Sequence, residues 1–288
     1  MYKTVLAALA ALMVAPASAA AQDASAEVLD ASTNWNLDYG NEHCELRRTF
    51  GSGPAAVTLY LRQSLPGQFF DVVLSGDRFG KPRPAFGTTA YYGNLVKRHL
   101  KDSVWITQAS NGSPVLLIGS TTFAESKEKA ETNSRVTDTD LNAITTMRFD
   151  VPKLSPFTLA TGPMQPPMAA LTNCLCDLVR TWGFDPDNAE TFSLQPTLIG
   201  SASRWIDPTK YPKALLNERQ GALLQLRLVV GPDGKVEDCA IQNLVGEEAF
   251  AKLTCESIKE KAKFRPAMNA KKQPVRSLWF QRVAFQVL

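Results

Sequence analysis

The stretch from Leu224 to Gln242 leaves this chain few ways to fold locally. Leu224, Leu226, Leu228 and Val230 alternate with Gln225, Arg227 and Val229, the period of a strand with one buried face. Gly231-Pro232-Asp233-Gly234 follows, and because Pro presets φ and Gly accepts positive φ, the chain turns back on itself. Val236 to Gln242 reads as the return strand of this hairpin. From Glu247 to Ala262 a helix is expected, with Ala251, Cys255, Ile258 and Ala262 on one face. A final strand is predicted from Arg276 to Val287, and Tyr211-Pro212 opens a short helical segment ahead of the hairpin.

This order resembles the C-terminal domain of the TonB energy-transducer family. Tyr211-Pro212, Asp233-Gly234, Phe264-Arg265-Pro266-Ala267 and Pro274-Val275 carry the resemblance. Ala222 departs from the family pattern as an extra residue before the first strand, and Asn243-Leu244-Val245 stands where the family has a small Ser/Gly-rich turn. The resemblance implies a TonB-like ββαβ domain over 211–288. It also implies a protein partner in the envelope, an outer-membrane transporter, whose extended segment is captured as an added strand. An edge strand offers unpaired N–H and C=O groups, so such capture asks little of side chains. On the last strand the expected partner-binding residues are Arg276, Leu278, Trp279, Gln281, Arg282, Val283 and Phe285. The alternative is a purely structural edge, protected by Arg276 and Arg282.

The first residues set the expected compartment. Lys3 precedes an apolar run from Val5 to Ala15, and Ala17-Ser18-Ala19 and Ala19-Ala20-Ala21 both offer small-residue cleavage sites. Residues 1–21 therefore read as a cleaved signal peptide, too short for a comfortable span of about 20 residues. An uncleaved anchor is the alternative. No Cys follows the cleavage region, so no lipid anchor is expected, and no later stretch is apolar enough to span. With the resemblance, the expected location is the periplasm. The 18 prolines are scattered rather than gathered into a spacer, and no retained anchor is expected, so force transduction is not.

In an oxidising compartment the five cysteines are disulfide candidates. Cys239 lies on the hairpin's return strand and Cys255 on the apolar face of the following helix, so they are expected to pair. Two buried free thiols are the alternative. Of Cys44, Cys174 and Cys176 one must stay unpaired or pair between chains. Cys44–Cys174 is the expected bond, because Cys174 lies nearer an apolar helical stripe.

That stripe is Met168, Leu171, Cys174, Leu175, Leu178, Val179 and Trp182, at helical spacing up to Gly183. Before it, short alternating runs separated by Gly and Pro suggest an antiparallel sandwich or barrel-like sheet. The expected fold class is α+β. Residues 22–33 form a flexible leader, 34–183 a mainly antiparallel β domain with one packed helix, and 184–210 an extended connector with a boundary near 200. The Trp35…Cys44…Thr49-Phe50-Gly51 and Thr161-Gly162-Pro163-Met164…Cys174…Trp182-Gly183 patterns are similar to exported proteins that pair a β-rich domain with a TonB-like end.

Chemistry is mostly excluded. The net charge of +3 is too small to argue for nucleic acid, although residues from Tyr211 onward hold 13 basic and 8 acidic side chains. Gly51-Ser52-Gly53 lacks the setting of a dinucleotide loop, and there is no phosphate loop or nucleophile elbow. Ser126-x-x-Lys129 matches a serine–lysine pattern without its partner motifs. His43 and Cys44 are adjacent in a strand and point to opposite faces. His99 has only Asp102 near it and reads as a surface residue. Cys174-x-Cys176 lacks the further ligands a zinc site needs. No catalytic residue, cofactor or metal is expected. A second reading makes the β-rich domain a cell-wall or ligand binder, with Tyr91 and Tyr92 as exposed aromatics.

Overall fold

The computed structural model describes residues 26–94, 96–100, 104–109, 111–124, 136–188, 194–211, 213–217 and 221–285. The expected signal peptide, Ser126, Lys129, Asp102, Pro212 and Val287 lie outside them. The fold class is α+β.

The N-terminal part is built from β1 (Glu27–Asp30), β2 (Asn36–Tyr39), β3 (Cys44–Phe50), β4 (Val57–Gln63), β5 (Phe69–Ser75), β6 (Arg83–Pro84), β7 (Thr88–Tyr92), β8 (Val96–Leu100), β9 (Trp105–Gln108), β10 (Pro114–Thr122), α1 (Asp138–Ala143), β11 (Met147–Asp150), β12 (Phe157–Ala160) and α2 (Gln165–Thr181). Seven strands form one sheet in the order β2-β3-β4-β5-β10-β9-β6, and five form a second in the order β1-β12-β11-β7-β8. Alternation decides the faces: in β4, Val57, Leu59, Leu61 and Gln63 are buried and the residues between are not. Both sheets and α2 share one hydrophobic cluster, with Leu59, Leu61, Leu74, Phe149, Phe157, Leu171 and Leu175 fully buried. Burying each such side chain contributes about 1.5–3 kcal/mol. Pro166 in the first turn of α2 suits a position whose N–H has no helical acceptor.

Two expectations for this part are corrected. Residues 27–30 are not a flexible leader: β1 pairs in parallel with β12, and Leu29 is buried. Tyr92 is not an exposed aromatic. Adjacent strand residues face opposite ways, so only one of Tyr91 and Tyr92 can meet solvent. Tyr92 is fully buried and its hydroxyl donates to Thr121 Oγ1 at 3.2 Å. Burial pushes its pKa up to about 12. Tyr91 sits between Lys97 and Arg148, 5.4 and 5.3 Å from its ring centre.

The C-terminal part comprises β13 (Thr197–Leu198), α3 (Lys213–Asn217), β14 (Ala222–Val230), β15 (Val236–Val245), α4 (Glu248–Lys261), β16 (Phe264–Arg265), β17 (Ala267–Met268), β18 (Pro274–Val275) and β19 (Ser277–Phe285). Its main sheet has the order β15-β14-β19, all antiparallel. Leu224, Leu226, Leu228 and Val230 share a second hydrophobic cluster with Phe250, Ala251 and Ile258 of α4. The β14–β15 turn is closed by Gly231 N–H donating to Lys235 O, with Gly234 at φ 78°. β15 continues to Val245 rather than stopping at Gln242, so Asn243-Leu244-Val245 is strand, not turn.

The segment ahead of this sheet is not an extended connector from Thr197 onward. β13 pairs with β16, and Trp205 is buried 6.2 Å from Phe264. Large apolar side chains in a proline-punctuated stretch have found a core to enter.

Candidate functional edge and junction

The last strand is the element that could receive a partner. β19 pairs with β14 through nine consecutive residues without a register shift, Ala222 opposite Phe285 to Val230 opposite Ser277. No strand lies on its other side among the described residues. The opposite edge, β15, is irregular. Register shifts fall between Gln225 and Leu226 and between Val229 and Val230, which bend and blunt that edge. β19 is therefore the regular edge of the sheet.

The seven residues expected at a partner site divide by face. Trp279, Val283 and Phe285 turn toward the α4 side. Trp279 lies 5.4 Å from Phe264, and Phe285 packs on Phe250 and Tyr211 at 4.7 and 5.8 Å. Leu278 turns the other way and is buried in the N-terminal cluster. Arg276, just ahead of the strand, donates to Glu237 Oε2 at 2.6 Å and lies 5.1 Å over Phe184. Gln281 is half-buried and donates to Arg282 O at 2.8 Å. Arg282 is exposed. What β19 presents at its edge is thus mainly backbone.

The face of the sheet opposite α4 is not free. The β2–β3 turn and the end of α2 cover it. Arg227 on β14, 3% exposed, gives Nε and Nη2 to the two carboxylate oxygens of Glu42 at 2.8 Å each, and Nη2 also reaches Asp238 at 3.2 Å. Its guanidinium stands 4.3 Å above the Trp182 ring. Arg's planar fork suits this double engagement of a carboxylate and an aromatic face. Val229 and Leu278 enter the N-terminal cluster beside this pair. Nothing in the local sequence around Glu42, Trp182 or Arg227 announces that they meet.

His43, next to Glu42, is half-buried with Nδ1 lacking a partner. Burial first, and Arg62 second, lower its pKa below the ordinary imidazole value; Glu45, Asp38 and Glu42 oppose this. Its neighbour Cys44 is bonded to Cys174, and Cys239 to Cys255, with S–S 1.97 and 1.98 Å. Both pairings expected from the sequence stand at disulfide distance. Cys176 is the free cysteine, its thiol pushed up by burial. Exposed His99 meets Thr89 Oγ1 through Nδ1 at 3.1 Å.

Residues 207–287 match the family model for the Gram-negative bacterial TonB protein C-terminal. The C-terminal part is a TonB C-terminal domain. It is fused here to an N-terminal β-rich region. No curated protein matches the chain. No helix among the described residues is long and apolar enough to cross a membrane. In this TonB C-terminal domain, then, the chain's own N-terminal part covers the outer sheet face around Arg227, while β19 keeps an edge that is unpaired among the described residues.

Proposed function

We propose that the chain is an exported, non-enzymatic envelope protein whose TonB C-terminal domain captures an extended segment of a protein partner by strand addition at β19. TonB C-terminal domains are periplasmic. The observation that carries the reading is the contrast between the two sheet edges: β15 is bulged, whereas β19 runs nine residues in one register with its far side unpaired among the described residues. Backbone hydrogen bonds supply the affinity in such augmentation, and alternate side chains supply the choice of partner. An outer-membrane transporter is the partner this reading favours.

The test is in-cell photo-crosslinking from Ala284, an exposed position on β19, with the captured peptide identified by mass spectrometry. A supporting result is a crosslink to a periplasm-facing extended segment whose synthetic peptide binds the purified protein and loses binding when its backbone amides are N-methylated. Binding that survives N-methylation, or crosslinks confined to the chain itself, overturns the reading.

A second reading places a ligand in the N-terminal part. A hollow of about 740 Å³ lies between the β4–β5 turn, α1 and α2, walled by Phe70, Phe123, Leu141 and Met168. Gln68 adds a buried Oε1 without a partner. This combination of apolar wall and few polar groups is the usual form of a small-molecule pocket. A ligand-induced thermal shift that Met168→Trp abolishes in the full chain would support it, and no shift across a panel of apolar small molecules would count against it.

A further inference from the structure

A second cleft, of about 280 Å³, lies at the junction of the two parts. One wall comes from the seven-stranded sheet, through Arg62, Asp71 and Ser120. The other comes from the TonB C-terminal domain, through Gln225, Gln242 and Arg282.

The first wall is a cross-strand row. Glu45 stands opposite Arg62, Arg62 opposite Asp71, and Asp71 opposite Ser120, so all four share one face. Arg62 turns to Glu45, giving Nε and Nη2 to the same carboxylate oxygen at 2.9 and 2.7 Å. Asp71 is left half-buried with no hydrogen bond to its carboxylate among the described residues. Burial pushes its pKa up, while Arg282, and after it Arg62, pull it down, which places both guanidiniums within electrostatic reach.

The second wall depends on a bulge. Gln225 pairs with Asn243 and Leu226 with Ile241, so Gln242 is the extra residue of β15. Bulges re-aim side chains, and this one turns Gln242 toward the cleft, away from the α4 side that takes Ile241 and Leu244. Gln242 is 6% exposed; its Nε2 donates to Glu42 O at 3.4 Å, while Oε1 is buried with no partner. A buried carbonyl without a donor is costly unless something fills the site. Arg282 stands opposite Gln225 on the same face, and its guanidinium makes no ion pair among the described residues.

Among the described residues, then, the cleft gathers a half-buried carboxylate without a hydrogen bond, Asp71, a buried carbonyl without a donor, Gln242 Oε1, and Arg282, a guanidinium in no ion pair but within electrostatic reach of Asp71. Two arginines disfavour a metal ion there, and a carboxylate with a buried carbonyl disfavours phosphate. We propose that the cleft binds the zwitterionic head of a free α-amino acid, its ammonium donating to Gln242 Oε1 and Asp71 and its carboxylate accepting from Arg282. The volume suits a small molecule rather than a large one, and all three contacts are charge-assisted, the stronger class of hydrogen bond. Because the walls belong to different parts of the chain, an occupant ties them together and stabilises both by mass action. The inference does not rest on strand addition at β19.

The test uses the full oxidised chain, titrated with glycine, L-alanine and L-serine by calorimetry and thermal shift. Glycine methyl ester, N-acetylglycine and acetamide serve as probes lacking one charge or both. The expected result is saturable binding of an amino acid, weakened roughly tenfold or more by removal of either charge, and by Asp71→Asn or Arg282→Gln with the far-UV spectrum unchanged. No binding at millimolar concentration overturns the proposal. So does binding indifferent to both substitutions, or acetamide binding as well as glycine. The blocked ligands decide the matter even if a variant fails to fold.

Discussion

Glu42 and Arg227, 185 residues apart, share two hydrogen bonds of 2.8 Å across the junction of the N-terminal part and the TonB C-terminal domain. The pair fixes how the sheet of the TonB C-terminal domain is backed. Where Glu42, Trp182 and the neighbouring apolar side chains cover the outer face, the sheet cannot offer it to a partner. Among the described residues, the edge of β19 is left unpaired.

Removing Glu42 strands a buried guanidinium. Asp238 still accepts one bond from Arg227 but is itself about half exposed. Glu42→Ala is expected to destabilise by about 3 kcal/mol, whereas Glu42→Leu combined with Arg227→Met recovers much of the loss, because an apolar pair carries no desolvation cost. Urea denaturation followed by tryptophan fluorescence checks both. Equal loss in the single and double variants would show that shape, not charge, holds the junction.

The two disulfides are expected to differ in weight. Cys239–Cys255 closes 16 residues and Cys44–Cys174 closes 130. In the chain-entropy model these lengths correspond to about 3 and about 5 kcal/mol. Cys174→Ser should therefore lower the denaturation midpoint more than Cys255→Ser, and dithiothreitol should abolish the difference.

His43 gives the junction a pH dependence. Its folded pKa lies below its unfolded value of 6.5. The unfolded chain thus binds the proton more readily, so stability is unaffected above the unfolded value and falls as pH drops from there toward the folded one. His43→Gln should flatten that part of the stability–pH curve. Denaturation midpoints from pH 7.5 down to 5, measured for both proteins, test this; parallel curves would assign the dependence to other groups.

Gly234 is a position where only glycine fits. It has φ 78°, and a Cβ there would run into Phe264 O, the carbonyl of a residue whose N–H donates to Gly234 O at 2.9 Å. Gly234→Ala should destabilise by more than about 1 kcal/mol. At Gly112, also at positive φ but with open space around its Cβ, the same change meets only the backbone penalty. Thermal melts of the two variants should rank accordingly.

Much of the TonB C-terminal domain is legible in the sequence because its signals are short-range. The Leu224–Val230 alternation, the Gly-Pro-Asp-Gly turn and the stripe around Ala251 and Ile258 name strand, turn and helix within one or two turns of chain. Cys239 and Cys255 follow, since a hairpin and the helix packed on it leave few places for either sulfur. The periodicity of Met168 to Trp182 likewise marks α2. Less was legible where the same residue types serve different surroundings. Tyr91 and Tyr92 look alike until the sheets close over one of them. Residues 27–30 carry no strong strand pattern, and β1 exists because β12 offers it an edge.

The sequence by itself determined the local elements, the faces of β14 and α4 that form a core, and the β19 strand with its candidate residues. Only the tertiary structure decided what lies against the other faces. Alternation says that Gln225, Arg227 and Val229 share a side of a strand, but not whether water, a partner or the chain's own remote residues cover it. That depends on free energy gained across separations such as Glu42 to Arg227. The bulge that turns Gln242 toward Asp71 is of the same kind, since register is a property of two strands together and is written in neither alone.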